Sequence, residues 1–270
     1  MRHAATSPAP SRRRLGRERV LPVLGVLLAL ALIVHGPIPQ WAAYHAFADR
    51  RALFGVPNAA DVLSNLPFGV IGLWALWTSR GQPIREASLA WAAFALALIG
   101  TAAGSATYHW APTNALLAFD RLPIAWACAA LTCAFLAERV DARWAGPGAL
   151  GAALTIASAS VALWWWSEAA GRSDLRAYLY VQFLPMLLVP AGLLLRLPRR
   201  SAAAVADAGW WGVLAGYILA KAFELADQAV LEHIGLVSGH TLKHLVAAAA
   251  AAWLLHAARR AAKFSCGSPR

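Results

Sequence analysis

HTLKHLVAAAAAAWLLHAA, residues 240–258, runs directly into Arg259 and Arg260. It is about as long as a helix needs to be to cross the hydrocarbon of a bilayer. Alanine and leucine fill it, and both favour helix. Its polar residues are gathered at the start: His240, Lys243 and His244 fall in the first turns. Seven further runs of the same character precede it, at 20–36, 61–79, 88–108, 116–137, 148–166, 177–196 and 210–229. Short connections with turn residues such as Gly36, Pro37, Gly146, Pro147, Gly171 and Pro198 join them. The pattern predicts an all-α, polytopic transmembrane helical bundle with no separate soluble domain.

Composition agrees. The 270 residues are 60% hydrophobic and 14% charged, where a soluble domain carries about 25% charge. Disorder is excluded, because disordered chains are poor in apolar residues. The net charge of +11 sits in short clusters between apolar runs, which is an orientation signal of membrane proteins rather than a nucleic-acid groove. Cys128, Cys133 and Cys266 match no disulfide framework or zinc knuckle. The chain divides into a basic tail (1–19), a first helix (20–36), a seven-helix unit (37–258) and a second basic tail (259–270). A basic lead before an apolar run also describes a signal peptide. Gly36–Gln40 is a poor cleavage site, so the first helix is expected to be retained.

Eight crossings put both termini on one side. That side would hold Arg2, Arg12, Arg13, Arg14, Arg17, Arg19, Arg80, Arg85, Arg139, Arg143, Arg196, Arg199, Arg200, Arg259, Arg260, Lys263 and Arg270, which is 17 basic residues. The other would hold 4: Arg50, Arg51, Arg172 and Arg176. Positive charge marks the cytoplasmic face, so both termini are expected there. The expected location is a bacterial inner membrane. The Trp164–Trp166 run and the Trp210–Trp211 pair read as aromatic belts at the two surfaces.

Ionisable groups inside a bilayer are costly and usually face the bundle interior, where they act. On this topology Asp61 and Asn65, then Ser105 and His109, then Asp120, then His240 and His244 all reach one depth near the outer face. His240 and His244 are one turn apart on one helix face, as are Ser105 and His109. Three histidines with an open position form a common catalytic zinc arrangement, and His109, His240 and His244 supply that set. A histidine pair alone also fits plain packing. Lys221, Glu224 and Asp227 recur at three-residue steps and read as one ionic face of the seventh helix, serving structure or a proton path.

Asp61–Phe68 (DVLSNLPF), Gly104–His109 (GSATYH), Asp120–Pro123 (DRLP) and Ser238–His244 (SGHTLKH) resemble, in order, motifs of the alkaline ceramidase family. That family belongs to a superfamily of seven-helix membrane hydrolases that includes the adiponectin receptors. The resemblance covers roughly 45–258 and implies a hydrolase-like core behind one extra N-terminal helix. It implies a Zn2+ held by His109, His240 and His244, with Asp120 transferring protons and Ser105 steadying the oxyanion. Ser64 and Asn65 match an earlier Ser-Asn element that supports the ligands or the packing. Independently of the resemblance, Asp61, Lys221, Glu224 and Asp227 are read from their placement within spans as supporting or structural residues. The implied activity is hydrolysis of ceramide or a related lipid amide from the bilayer, giving a fatty acid and an amino alcohol. Membrane lipids are the expected surroundings, and nucleic acid is not an expected partner. The eukaryotic calcium loop is not reproduced in YHAFADRRALFGVPNAAD (44–61), although Asp49, Asn58 and Asp61 offer oxygens, so Ca2+ is doubtful. A transporter or receptor-like protein using the same His/Asp cluster for an ion or ligand is the alternative.

Overall fold

A computed structural model describes residues 16–80 and 87–264, with the Phe264 side chain left aside. Arg2, Arg12, Arg13, Arg14, Arg85, Cys266 and Arg270 lie outside the described residues. The elements are α1 (Val20–His35), α2 (Ala59–Leu63), α3 (Leu66–Ser79), α4 (Ser88–Trp110), α5 (Asn114–Arg139), α6 (Pro147–Ala169), α7 (Arg176–Leu194), α8 (Asp207–Leu225), α9 (Asp227–Ile234) and α10 (Gly239–Phe264). No strand occurs among the described residues, so the chain is an all-α bundle.

Six segments are long and apolar enough to cross a membrane: 59–79, α4, α5, α6, α7 and α10. The first and seventh expected spans depart from the others. At 16 residues α1 extends about 24 Å, short of a hydrocarbon core of about 30 Å. It stops at Gly36, whose φ of 83° leaves the helical region. The seventh span is not one helix. α8 ends at Leu225, and Asp227 opens the separate α9. The second span is also broken: Pro67 in the first turn of α3 has no N–H to give the preceding turn, and the chain steps from α2 to α3 at Ser64 and Asn65.

α4 packs between α3 and α5, α5 between α4 and the α6–α7 pair, and α10 against both α8 and α3. α1 lies on α7 at the margin. The centre holds Phe94, Leu98, Ala130, Phe135, Leu188 and Leu254. The outside is apolar too: Leu30 and Ile33, Val70 and Leu73, and Ile218 and Leu219 all face outward. A water-soluble protein rarely leaves such continuous apolar surface, whereas a bilayer requires it.

Two aromatic assignments change. Trp164 and Trp210 are buried, while Trp165, Trp166 and Trp211 are exposed. A helix turns about 100° per residue, so one member of each run faces inward. Trp164 lies under the Arg121 guanidinium at 4.1 Å, and Trp210 packs on Trp91 and Phe135.

Candidate metal centre

The end of α4, the start of α5, the start of α10 and the α2–α3 break meet at one end of the bundle. Their approach is fixed by small residues. A Cβ on Gly104 would run into the Phe119 carbonyl oxygen and lie 3.4 Å from the Asp120 Cα. Gly104 therefore lets α4 touch α5, and it brings Ser105 against the Asp120 carboxylate. A Cβ on Gly239 would meet Phe223 O and the Asp227 backbone, so α10 can start against the α8–α9 break. Ser238 caps that start by accepting from Thr241 N at 3.1 Å.

His109, His240 and His244 are all buried. One ring nitrogen from each lies within 4.8 Å of the others. His109 Nε2 and His240 Nε2 are 3.3 Å apart. Two nitrogens each about 2.0–2.1 Å from a tetrahedral zinc would be separated by about 3.3–3.4 Å, so the pair fits a shared ion. Ser64 Oγ donates to Asp61 O at 3.0 Å. Its oxygen is then the acceptor for His244 Nδ1–H at 2.8 Å. That arrangement leaves the His244 Nε2 lone pair free for a metal. The donor set of three imidazoles suits a first-row divalent metal such as zinc, copper, iron or nickel.

The supporting residues sit around this triad. Asp61 is buried and takes the Thr241 hydroxyl at 2.6 Å and that of Ser238 at 3.5 Å. Asn65 Nδ2 donates to Asp61 O at 2.8 Å. Asp120 is buried, and its Oδ1 has no partner. Asp227 leaves the expected ionic face. It accepts from His240 N at 2.7 Å and from Ala48 N at 3.0 Å, tying α10 to the segment before α2. Glu224 keeps the ionic role and pairs with Lys221 and, at 3.1 Å, with Lys243.

Several contributors went unassigned in the sequence. Lys243 Nζ lies 2.9 Å from His240 Nε2. Its only sequence signal is its place between the two histidines of α10. Phe47 is buried with its ring 4.5 Å from the His109 ring and 5.1 Å from the His240 ring. It closes the end of the bundle, and nothing local marks it. Tyr108 stacks beside His109 and bonds His45 Nδ1 at 2.8 Å. Asn58 Nδ2 donates to His109 O at 2.8 Å.

The oxygens considered for calcium do not converge. Asp49 is gripped by Arg51 at 2.7 and 2.8 Å. Asn58 turns its amide to His109, and Asp61 serves Thr241 and Ser238. Arg51 also reaches Gly235 O and Leu236 O at 3.1 and 2.7 Å. A side-chain cation holds this corner, and the residues do not form a calcium cage. The Arg51 hydrogen bonds hold the Asp49 carboxyl below its ordinary range. No family model matches the chain, and no curated protein matches it.

Proposed function

We propose that the chain is an intramembrane zinc amidohydrolase acting on ceramide or a related lipid amide. The observation that carries this reading is the buried His109–His240–His244 triad, with Ser105 one turn before His109 on α4 and against the buried Asp120 of α5. Those three histidines would hold the ion, and zinc bound there would supply Lewis acidity toward an amide carbonyl and a water molecule. Ser105 would donate to the carbonyl oxygen as it gains charge. Asp120, with one carboxylate oxygen unpartnered, would take a proton from the attacking water and deliver one to the leaving nitrogen. The amide C–N bond breaks, and the water oxygen stays with the acyl group. Ser64 and Asp227 hold His244 and the backbone of His240, and Phe47 keeps bulk water from the rings.

The transporter alternative needs a polar path through the bundle. Below the site the described core is Leu98, Phe94, Ala130, Phe135 and Leu254, which favours an enzyme closed at that level. We place both termini in the cytoplasm of a bacterial inner membrane and the centre near the outer face. Described basic residues support this: Arg139, Arg259 and Arg260 lie in the last turns of α5 and α10, and Arg80, Arg143, Arg199 and Arg200 lie beyond helix ends, all remote from the histidines. The test is a panel of lipid amides incubated with zinc-loaded protein in detergent, scoring free fatty acid. Release that falls at least about 100-fold in Asp120→Asn supports the reading. No release from any amide overturns it.

A further inference from the structure

The end of the bundle remote from the histidines holds a cavity of about 330 Å³ between the last turns of α3, the first turns of α4 and the last turns of α10. That lies within the range of small-ligand pockets, about 300–1,000 Å³. Its walls are largely apolar: Trp74, Leu76, Leu89, Trp91 and Leu255, with alanines between them. Leu89 is 48% exposed, so the cavity lies at the lipid-facing margin and not in the closed core. Two cations, Arg259 and Lys263, also line it. They are four residues apart on α10, so they share one helix face, one turn apart.

Neither cation has an acidic partner among the described residues. The Arg259 guanidinium lies over the Trp74 ring, 5.5 Å from its centroid, and its Nε is buried with no hydrogen-bond acceptor. The dipole at the end of α10 favours positive charge. It still leaves Nε without an acceptor, and like charges one turn apart repel. Among the described lining residues Glu138 is the one carboxylate. It is 3% exposed, and its two oxygens accept from Trp91 Nε1 at 3.2 Å and from Val205 N at 2.9 Å. It repels an anion, so an anion belongs beside Arg259 and Lys263, with the apolar wall next to it.

We infer that this cavity binds an anionic phospholipid of the adjoining leaflet. Arg259 and Lys263 take the headgroup phosphate, and the apolar wall takes the upper part of an acyl chain. Lipid is the occupant because the cavity sits at the ends of three helical segments long and apolar enough to cross a membrane, the level at which headgroups lie. Basic pockets between such helices bind anionic headgroups. A free phosphate would satisfy the cations and leave the apolar wall uncovered. A phosphatidylcholine brings its own quaternary ammonium, which meets Arg259 and Lys263 with like charge. The cavity is smaller than a two-chain lipid, so the rest of the molecule stays in the bilayer. The site is at the far end of the bundle and does not depend on the amidohydrolase reading.

The test titrates the delipidated full chain in detergent with dioleoylphosphatidylglycerol, with dioleoylphosphatidylcholine, which has the same acyl chains, and with inorganic phosphate. Thermal stabilisation against lipid mole fraction gives each apparent affinity. The wild type is expected to prefer phosphatidylglycerol by about 30-fold, at about fivefold per basic residue, and to respond little to phosphate. Arg259→Gln/Lys263→Gln should bring phosphatidylglycerol to the level of phosphatidylcholine. The control Arg199→Gln/Arg260→Gln removes equal charge from the same end at exposed positions outside the cavity and should keep the preference. Equal stabilisation by the two lipids, a full shift with phosphate alone, or an equal loss in the control overturns the inference. So does a wild-type preference that survives in Arg259→Gln/Lys263→Gln. Should that double variant not fold, Lys263→Gln decides, since Lys263 is exposed: a loss of about fivefold supports the site, and no loss rejects it.

Discussion

Ser64 decides which nitrogen of His244 is offered to a metal. Its hydroxyl hydrogen is committed to Asp61 O, so its oxygen takes the Nδ1–H of His244. Removing the hydroxyl frees the ring to rotate and change tautomer. Ser64→Ala should therefore weaken zinc binding by about 10- to 100-fold, the usual effect of losing such a partner, as read by chelator competition with the helical circular dichroism unchanged. Loss of a ring is more severe. His109→Ala, His240→Ala and His244→Ala should each fall from one zinc per chain toward none by elemental analysis, and full retention in all three would remove the ligand assignment. At this scale the sequence revealed what lies within one helix. The one-turn spacings of His240 with His244 and of Ser105 with His109 are local facts of helix geometry. Phe47 over the rings and Lys243 on His240 Nε2 depend on chain separated by many residues or on one rotamer. No periodicity encodes them.

Among the elements, the contact of α4 with α5 is exposed to a small change. A Cβ on Gly104 has no room against the Phe119 carbonyl, and a carbonyl in a helix cannot swing aside as a flexible side chain would. Gly104→Ala should cost about 1–3 kcal/mol, as overpacking does, and lower both thermal stability in detergent and zinc content. Gly148→Ala is the control, since nothing lies within 4 Å of its added Cβ. The segment before α2 behaves as a tied strap, held by Arg51 on Asp49 and the α9–α10 turn. Because the folded Asp49 value is depressed, the strap is held above the ordinary aspartate value and is released only as pH falls through the lower, folded one. Hydrogen-exchange protection of the Arg51 amide, which donates to Asp49, should stay constant from pH 7 to pH 5, after correction for intrinsic rates. A loss of protection in that window would show that Asp49 does not hold the strap. Helix existence was legible because runs of alanine and leucine are long and bounded by proline and glycine. The step at Ser64–Asn65 had a signal in Pro67. The end of α8 had none: Ala226 is no breaker, and the turn there is set by Asp227 reaching Ala48 and His240.

For the whole molecule, the two ends of the bundle are built for different tasks. The histidine end carries the polar centre under Phe47. At the far end Glu138 and Arg139, both buried, clamp the α7–α8 connection: Glu138 accepts from Val205 N at 2.9 Å, and Arg139 donates to Val205 O at 2.8 Å and pairs with Asp207 at 2.8 Å. That end also gathers the exposed arginines Arg199 and Arg200. A bilayer reads such an asymmetry as orientation, because positive loops are retained in the cytoplasm. The exposed positions Arg172 and Arg199 sit in connections at opposite ends, so they report orientation directly. With Cys266 replaced by serine, the remaining Cys128 and Cys133 are buried and should stay silent toward a thiol reagent. Arg172→Cys should then react with a membrane-impermeant maleimide added to spheroplasts, and Arg199→Cys should react only after the membrane is opened. The reverse pattern would put the histidine end in the cytoplasm. Lipid amides would then have to reach the centre from the inner leaflet, with the basic face turned outward against the charge rule. Reaction of both positions in sealed cells would break the crossing topology itself, since an odd number of spans must separate them for only one to be reached.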